Sequence, residues 1–87
     1  MAIGNFAAIE AALHEHLVKL AAARGKGPLN ISRTDGLIDH GIFDSLSLLD
    51  FVVFTEKLTG VKIPGEDVHP ENFGSLEAVM LYLRDRS

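Results

Sequence analysis

The chain has 87 residues, no cysteine and a net charge of −4. A chain of this size forms one domain, and without disulfides or thiolate metal ligands it must be stabilised by packing its 47% hydrophobic residues. We therefore predict a single domain over residues 1–87, with room for one core and none for a deep catalytic cleft.

The acidic residues are concentrated in the middle of the chain. Residues 35–77 hold nine acidic and two basic residues, a net charge of −7, whereas the rest of the chain carries +3. Because such a segment repels phosphate backbones and attracts basic protein surfaces, we expect protein partners and no nucleic acid. No apolar stretch approaches the roughly 20 residues that span a bilayer, and no targeting segment is visible. The expectation is a cytoplasmic monomer without membrane association.

The first predicted element is a helix over residues 6–23. Asn5 can cap its start, and the sequence RGKGP ends it, since glycine and proline do not continue a helix. Apolar residues at spacings of three and four form one stripe along this helix: Phe6, Ile9, Leu13, Leu17 and Leu20.

A long connection follows over residues 28–43. It mixes turn residues with apolar ones, and a connection of this length is uncommon in a compact domain unless it is functional or held against the core. Its apolar residues favour packing onto the core: Leu29, Ile31, Leu37, Ile38, Ile42 and Phe43.

A second helix is predicted over residues 45–59, with Asp44 as its N-cap and Gly60 at its exit. This helix carries more apolar surface than one core-facing stripe needs. At 100° per residue, one face holds Leu48, Phe51, Val52, Thr55 and Thr59, and the opposite face holds Leu46, Leu49 and Val53. Two interpretations stay open and do not exclude each other: the connection covers the second face, and that face meets a partner.

The C-terminal part is predicted to hold one short and one longer helix. Pro70 suits the first position of a short helical turn, and Ser75 can cap a last helix from residue 76 to about residue 85. The apolar stripe of this last helix has spacings of three and four: Leu76, Val79, Met80 and Leu83. No segment shows the alternation of a strand. The predicted fold class is therefore all-α, a small bundle of three main helices and one short helix.

The chemistry-bearing residues do not form a familiar active site. A catalytic Ser45 would need a base and an oxyanion hole, and the chain lacks the G-x-S-x-G elbow. His14 and His16 are two residues apart and diverge on a helix, so they do not form a metal-binding pair. We expect no enzyme activity and no metal site, with all four histidines facing solvent.

An aspartate and a serine before an apolar run are also how many helices begin, so Asp44-Ser45-Leu46 alone indicates a helix start. The position of this motif in the chain indicates more than a helix start. It opens the second helix after a long connection with Gly41, and GVKIPGED, HPENF and a capped last helix follow. In this order of helices and connections, which covers residues 6–84, the chain resembles the acyl carrier proteins and the related peptidyl and aminoacyl carrier domains.

The resemblance implies a four-helix bundle of the acyl-carrier type in which Ser45 is an attachment point. In that family a phosphopantetheinyl transferase moves 4′-phosphopantetheine from coenzyme A onto the serine, and the thiol of the arm carries acyl or aminoacyl groups as thioesters. Asp44 then helps to position metal-bound coenzyme A, and Leu46 completes the motif. The implied partners are this transferase, a loading ligase or synthase, and a downstream acceptor enzyme.

The second helix is the expected docking face for those partners. It would consist of apolar residues beside Ser45 with an acidic flank that steers a basic partner: Leu46, Leu49, Asp50, Val53 and Glu56. The stretches FDSLSLLDFV and PENFGSLEAV resemble stand-alone aminoacyl carriers more than fatty-acid carriers. Thr55 and Thr59 also take core-side positions where the family usually has leucine and phenylalanine.

Overall fold

The structure, a computed structural model, describes residues 5–25, 31–39 and 41–86. In these ranges the secondary structure is helical, with no strand, so the all-α prediction is confirmed. Three longer helices and one short helix follow one another as predicted: α1 Phe6–Ala23, α2 Ser45–Thr59, α3 Pro70–Phe73 and α4 Leu76–Arg86. A 3₁₀ turn lies between α2 and α3. No helix in these ranges is long and apolar enough to cross a membrane.

The helix ends lie where the local sequence predicts them. The side chain of Asn5 accepts a hydrogen bond from Ala8 N (3.0 Å), and Ser75 Oγ accepts one from Ala78 N (3.1 Å). Gly60 ends α2 with a φ of 74°, a left-handed conformation that glycine adopts without strain. Each of these ends depends on a residue within four positions of it, so the helix boundaries follow from local chemistry.

The core lies where α1 packs against α2 and α4, and where α3 packs against α4. Aromatic side chains run through it, with ring centroids 5.3 Å apart for Phe43 and Phe51, and 5.7 Å apart for Phe73 and Tyr82. Its largest fully buried apolar side chains come from every helix and from the connection: Phe51, Phe73, Leu13, Leu17, Leu37, Ile42, Leu76, Leu83 and Val79. The predicted stripes of α1 and α4 therefore face the core.

Two threonines are buried on the core side of α2, as predicted. The Thr55 hydroxyl donates to Phe51 O, and the Thr59 hydroxyl donates to Thr55 O, each at 2.7 Å. Thr59 Oγ1 also accepts from Val61 N at 3.1 Å. These bonds satisfy the hydroxyls within the helix and its exit, so the polar groups are buried without being left unpaired.

The connection between α1 and α2 is held against the core, which confirms the prediction for its described apolar residues other than Ile38. Ile31, Leu37, Ile42 and Phe43 are buried, whereas Ile38 is 43% exposed. Leu29 lies outside the described residues.

Backbone hydrogen bonds tie the same connection to the α3–α4 junction. Leu37 N donates to Gly74 O, and Glu77 N donates to Arg33 O, both at 2.8 Å. The entry to α2 is thus anchored on both the apolar core and the C-terminal helices.

The prediction that the histidines face solvent is wrong for His14 and His16. Both are partly buried, and His14 Nε2 lies 2.8 Å from Ile31 O. The His16 ring stacks on Phe54, with centroids 4.0 Å apart. The packing of α1 against α2 and the connection covers these rings, which the sequence of α1 alone does not reveal. His69, just before α3, is also partly buried, so the prediction is wrong for it too. His40 lies outside the described residues.

Candidate functional site

Ser45 is the first residue of α2, and its side chain is exposed. Asp44 has an extended backbone and caps the helix, since its Oδ1 accepts a hydrogen bond from Ser47 N at 2.8 Å. Within the part of the chain that the structure describes, no side chain hydrogen-bonds to the Ser45 hydroxyl. The hydroxyl is therefore accessible to another protein.

The sequence did not single out one further residue of this site, Arg24. We call the site the Ser45 corner (Arg24, Gly41, Asp44, Ser45). Arg24, which ends α1, donates from Nε to Gly41 O at 2.8 Å, and its Nη1 forms an ion pair with Asp44 Oδ2. Gly41 has a φ of 73°, a conformation that favours glycine. Twenty positions separate Arg24 from Asp44, so only the folded chain brings them together.

The Asp44 carboxyl stays ionised far into the acid range. Its pKa is lowered from 3.8 to about 2, chiefly because the backbone N–H of Ser47 donates to it. The Ser47 hydroxyl and the Arg24 guanidinium lower the pKa further. At neutral pH the site thus presents a fixed negative charge directly before an exposed hydroxyl.

This ionisation predicts an acid-dependent stability. Because the pKa of Asp44 is lower in the folded chain, its contribution is present above pH 3.8 and is lost as the pH falls through about 2. Asp44→Asn retains a capping oxygen but has no charge, so its stability should fall less steeply than that of the wild type between pH 4 and pH 2. Urea midpoints across this range measure the difference.

Asp85→Asn serves as the control for that prediction, because it removes the same charge from an exposed position in α4. Its midpoints should follow the wild-type curve. Parallel curves for the wild type and Asp44→Asn would contradict a role of the Asp44 charge in stability.

The second apolar face of α2 is open to solvent. Leu46 is 77% exposed, Leu49 56% and Val53 48%, whereas Phe51 and Val52 are buried on the other side. The described part of the connection packs onto the core and does not cover this surface, which we call the α2 apolar face (Leu46, Leu49, Val53). It begins beside Ser45 and runs along the helix.

A groove of about 410 Å³ extends the α2 apolar face toward α1. His16 lies in this groove, stacked on Phe54, with its Nε2 2.7 Å from Asp50 Oδ1. Leu49, Val53 and Lys57 complete its lining. Since 34 positions separate His16 from Asp50, no local signal in the sequence indicates that α1 contributes to this surface.

The two acidic residues expected beside this face have different surroundings. Asp50 contacts His16, but its side chain remains 57% exposed. Glu56 is half-buried, and its Oε2 accepts a hydrogen bond from Ile63 N at 2.8 Å. Glu56 therefore holds the segment after α2 in place, and Asp50 is the more available charge for a partner.

No protein-family model, curated protein or solved structure matches the chain.

In residues 5–25, 31–39 and 41–86, no three or more histidine, aspartate or glutamate side chains come together as a possible metal site. A larger groove of about 590 Å³ lies between α1 and the connection, near the Glu10–Arg33 ion pair, and contains none of the residues of the Ser45 corner.

Proposed function

We propose that the protein is a carrier of the acyl-carrier type. It holds acyl or aminoacyl groups as thioesters on a 4′-phosphopantetheine arm attached to Ser45 and delivers them to partner enzymes. The observation that carries the proposal is an exposed serine at the first position of α2, directly after an ionised aspartate cap and beside an exposed apolar face. The all-helical bundle agrees with the fold that such carriers have.

The site fits the arm chemically. Unpaired backbone amides and the helix dipole favour a negative group at the N-terminus of α2, and attachment of the arm to Ser45 places a phosphodiester there. When attached, the arm supplies a terminal thiol, which a chain without cysteine does not have. Ser45 needs no base of its own in this function, because the transferase that modifies it supplies one.

Mass spectrometry of the intact protein tests the proposal. The wild-type protein should gain one phosphopantetheine group when it is incubated with a phosphopantetheinyl transferase, coenzyme A and Mg²⁺. A known carrier in the same reaction verifies that the transferase is active. With that control modified, an unchanged mass of this protein would overturn the proposal and would favour a helical interaction module that uses the α2 apolar face without an arm.

We propose an aminoacyl group or another short group as the cargo. Phe51 and Phe73 are fully buried, with ring centroids 6.5 Å apart, and the buried Thr55 hydroxyl donates to Phe51 O. A core that contains close-packed aromatic rings and buried hydroxyls is less suited to a long alkyl chain than a wholly aliphatic one. Loading of the modified protein from candidate acids, ATP and a cell extract would identify the thioester.

The α2 apolar face is the proposed docking surface for the transferase and the loading enzyme. Leu49→Asp should lower kcat/KM for modification, because it places a charge where the partner would bury an apolar side chain. The fold should be retained, since Leu49 is 56% exposed. Enzyme kinetics and the urea midpoint are measured on the same variant.

Leu81→Asp is the matched control, because Leu81 is an exposed leucine on α4, away from this face. It should leave kcat/KM at the wild-type value. Equal kinetics for the two variants, or a loss at Leu49 that only follows a lowered midpoint, would contradict docking at this face.

A further inference from the structure

Arg24 links the end of α1 to the residues that lead into α2. Its Nε donates to Gly41 O at 2.8 Å, while its Nη1 forms an ion pair with Asp44 Oδ2. The other carboxylate oxygen, Asp44 Oδ1, accepts from Ser47 N at 2.8 Å. One arginine therefore orients a carbonyl and a carboxylate on the segment that immediately precedes Ser45.

Folding stability alone does not explain the contacts of Arg24 with Gly41 and Asp44. The helix α2 already has its cap, and an ion pair between side chains that are 33% and 47% exposed contributes little to folding. The planar guanidinium is suited to donating to two acceptors at once, which a lysine ammonium does less well. Arg33 offers a contrast, because its Nε contacts the Glu10 carboxylate, at 3.0 Å, and its side chain has no second acceptor among the residues that the structure describes.

We propose that Arg24 is a positioning residue for the modification of Ser45. It holds the Gly41 carbonyl and the Asp44 carboxylate so that the Ser45 hydroxyl and the charge beside it reach the transferase in one arrangement. This role rests on the proposed carrier function. Its physical basis is that misplacing reacting groups by about 1 Å can slow a reaction about 100-fold.

The transfer of phosphopantetheine to Ser45 forms one bond and breaks one bond. The Ser45 oxygen forms a bond to the β-phosphorus of coenzyme A, and the pyrophosphate bond breaks to release adenosine 3′,5′-bisphosphate. The serine proton passes to a base of the transferase. Arg24 acts through Asp44 and Gly41 and contributes no atom to this exchange.

Steady-state kinetics of modification test the role of Arg24. Arg24→Gln should lower kcat about tenfold, because the two contacts that orient the segment are lost. The KM values for the carrier and for coenzyme A should not change, since the α2 apolar face and the transferase are unaltered. Arg24→Lys keeps the charge but not the two-acceptor geometry, so its kcat should lie nearer to that of Arg24→Gln than to the wild type.

Arg33→Gln is the matched control, because it removes the same charge from an ion pair that does not touch the Ser45 corner. Its kcat should equal that of the wild type. A second measurement needs no transferase: NMR titration of the Asp44 carboxyl should show its pKa, about 2 in the wild type, raised in Arg24→Gln but not in Arg33→Gln. In Arg24→Gln the Ser47 N–H still lowers the pKa of Asp44 in part, whereas in Arg33→Gln all the contacts that lower it remain.

The kinetic results distinguish three roles of Arg24: positioning, docking and folding. Equal kcat values for the wild type, Arg24→Gln and Arg33→Gln would overturn the positioning role and leave the carrier function standing. A raised KM for the carrier at unchanged kcat would assign Arg24 to docking, and a kcat loss that only follows a lowered urea midpoint would assign it to folding. No mass gain by the wild-type protein would overturn the carrier function, and this role with it.

Discussion

Ser45→Ala is expected to abolish modification completely. The variant should gain no mass with the transferase and coenzyme A under conditions in which the wild type gains one phosphopantetheine group. The reason is that the hydroxyl oxygen of Ser45 is the proposed attachment atom, and no other serine of the chain directly follows an aspartate. The urea midpoint should change little, because the substitution removes one exposed hydroxyl to which no side chain of the described residues hydrogen-bonds.

Ser47→Ala provides the control for this experiment. Ser47 lies in the same first turn of α2, and its replacement leaves the sequence Asp44-Ser45-Leu46 intact. At the end of the reaction this variant should carry one phosphopantetheine group, like the wild type. Continued modification of Ser45→Ala would show that the attachment site lies elsewhere in the chain.

Removal of core side chains should cause the largest losses of stability. Phe51→Ala is expected to lower the free energy of unfolding by about 3 to 5 kcal/mol, and Leu13→Ala by about 2 to 5 kcal/mol. Both side chains are fully buried, so each substitution leaves a cavity in the core, and the one at Phe51 lies beside the rings of Phe43 and Phe73. Losses of this size are a large share of the stability of a small domain. Urea unfolding at neutral pH measures them.

Leu46→Ala is the matched control for Leu13→Ala, because the same atoms are removed from a leucine that is 77% exposed. Its free energy of unfolding should stay within about 0.5 kcal/mol of the wild type. Unchanged midpoints for both core variants would contradict the assignment of Leu13 and Phe51 to the core.

The core and the candidate site are mechanically connected through α2. Phe51 faces the core, while Leu49 and Val53, two positions to either side, face solvent. Because one rigid helix carries both surfaces, packing at Phe51 fixes the direction in which the α2 apolar face and Ser45 are presented. Loss of modification in Phe51→Ala should therefore follow the unfolded fraction.

The sequence by itself determined the helices, their ends and their core-facing sides. Asn5, Asp44, Gly60 and Ser75 act on backbone groups within four positions, so their effect can be read from neighbouring residues. The apolar spacing of α1 and α4 depends only on the helical repeat of 3.6 residues per turn. For the same reason, the two apolar faces of α2 were predictable before the fold was known.

Only the tertiary structure decided which residues surround the candidate site and whether the second face of α2 is covered. Arg24 meets Asp44 across 20 positions, and His16 meets Asp50 across 34. Neither pair has a periodic or local signature, because such contacts depend on how separate helices and the connection pack. The packing of separate segments also decided that the α2 apolar face is exposed. The apolar residues of the connection could have packed on it, but Ile31, Leu37, Ile42 and Phe43 are buried in the core between the helices, where they lose more contact with water.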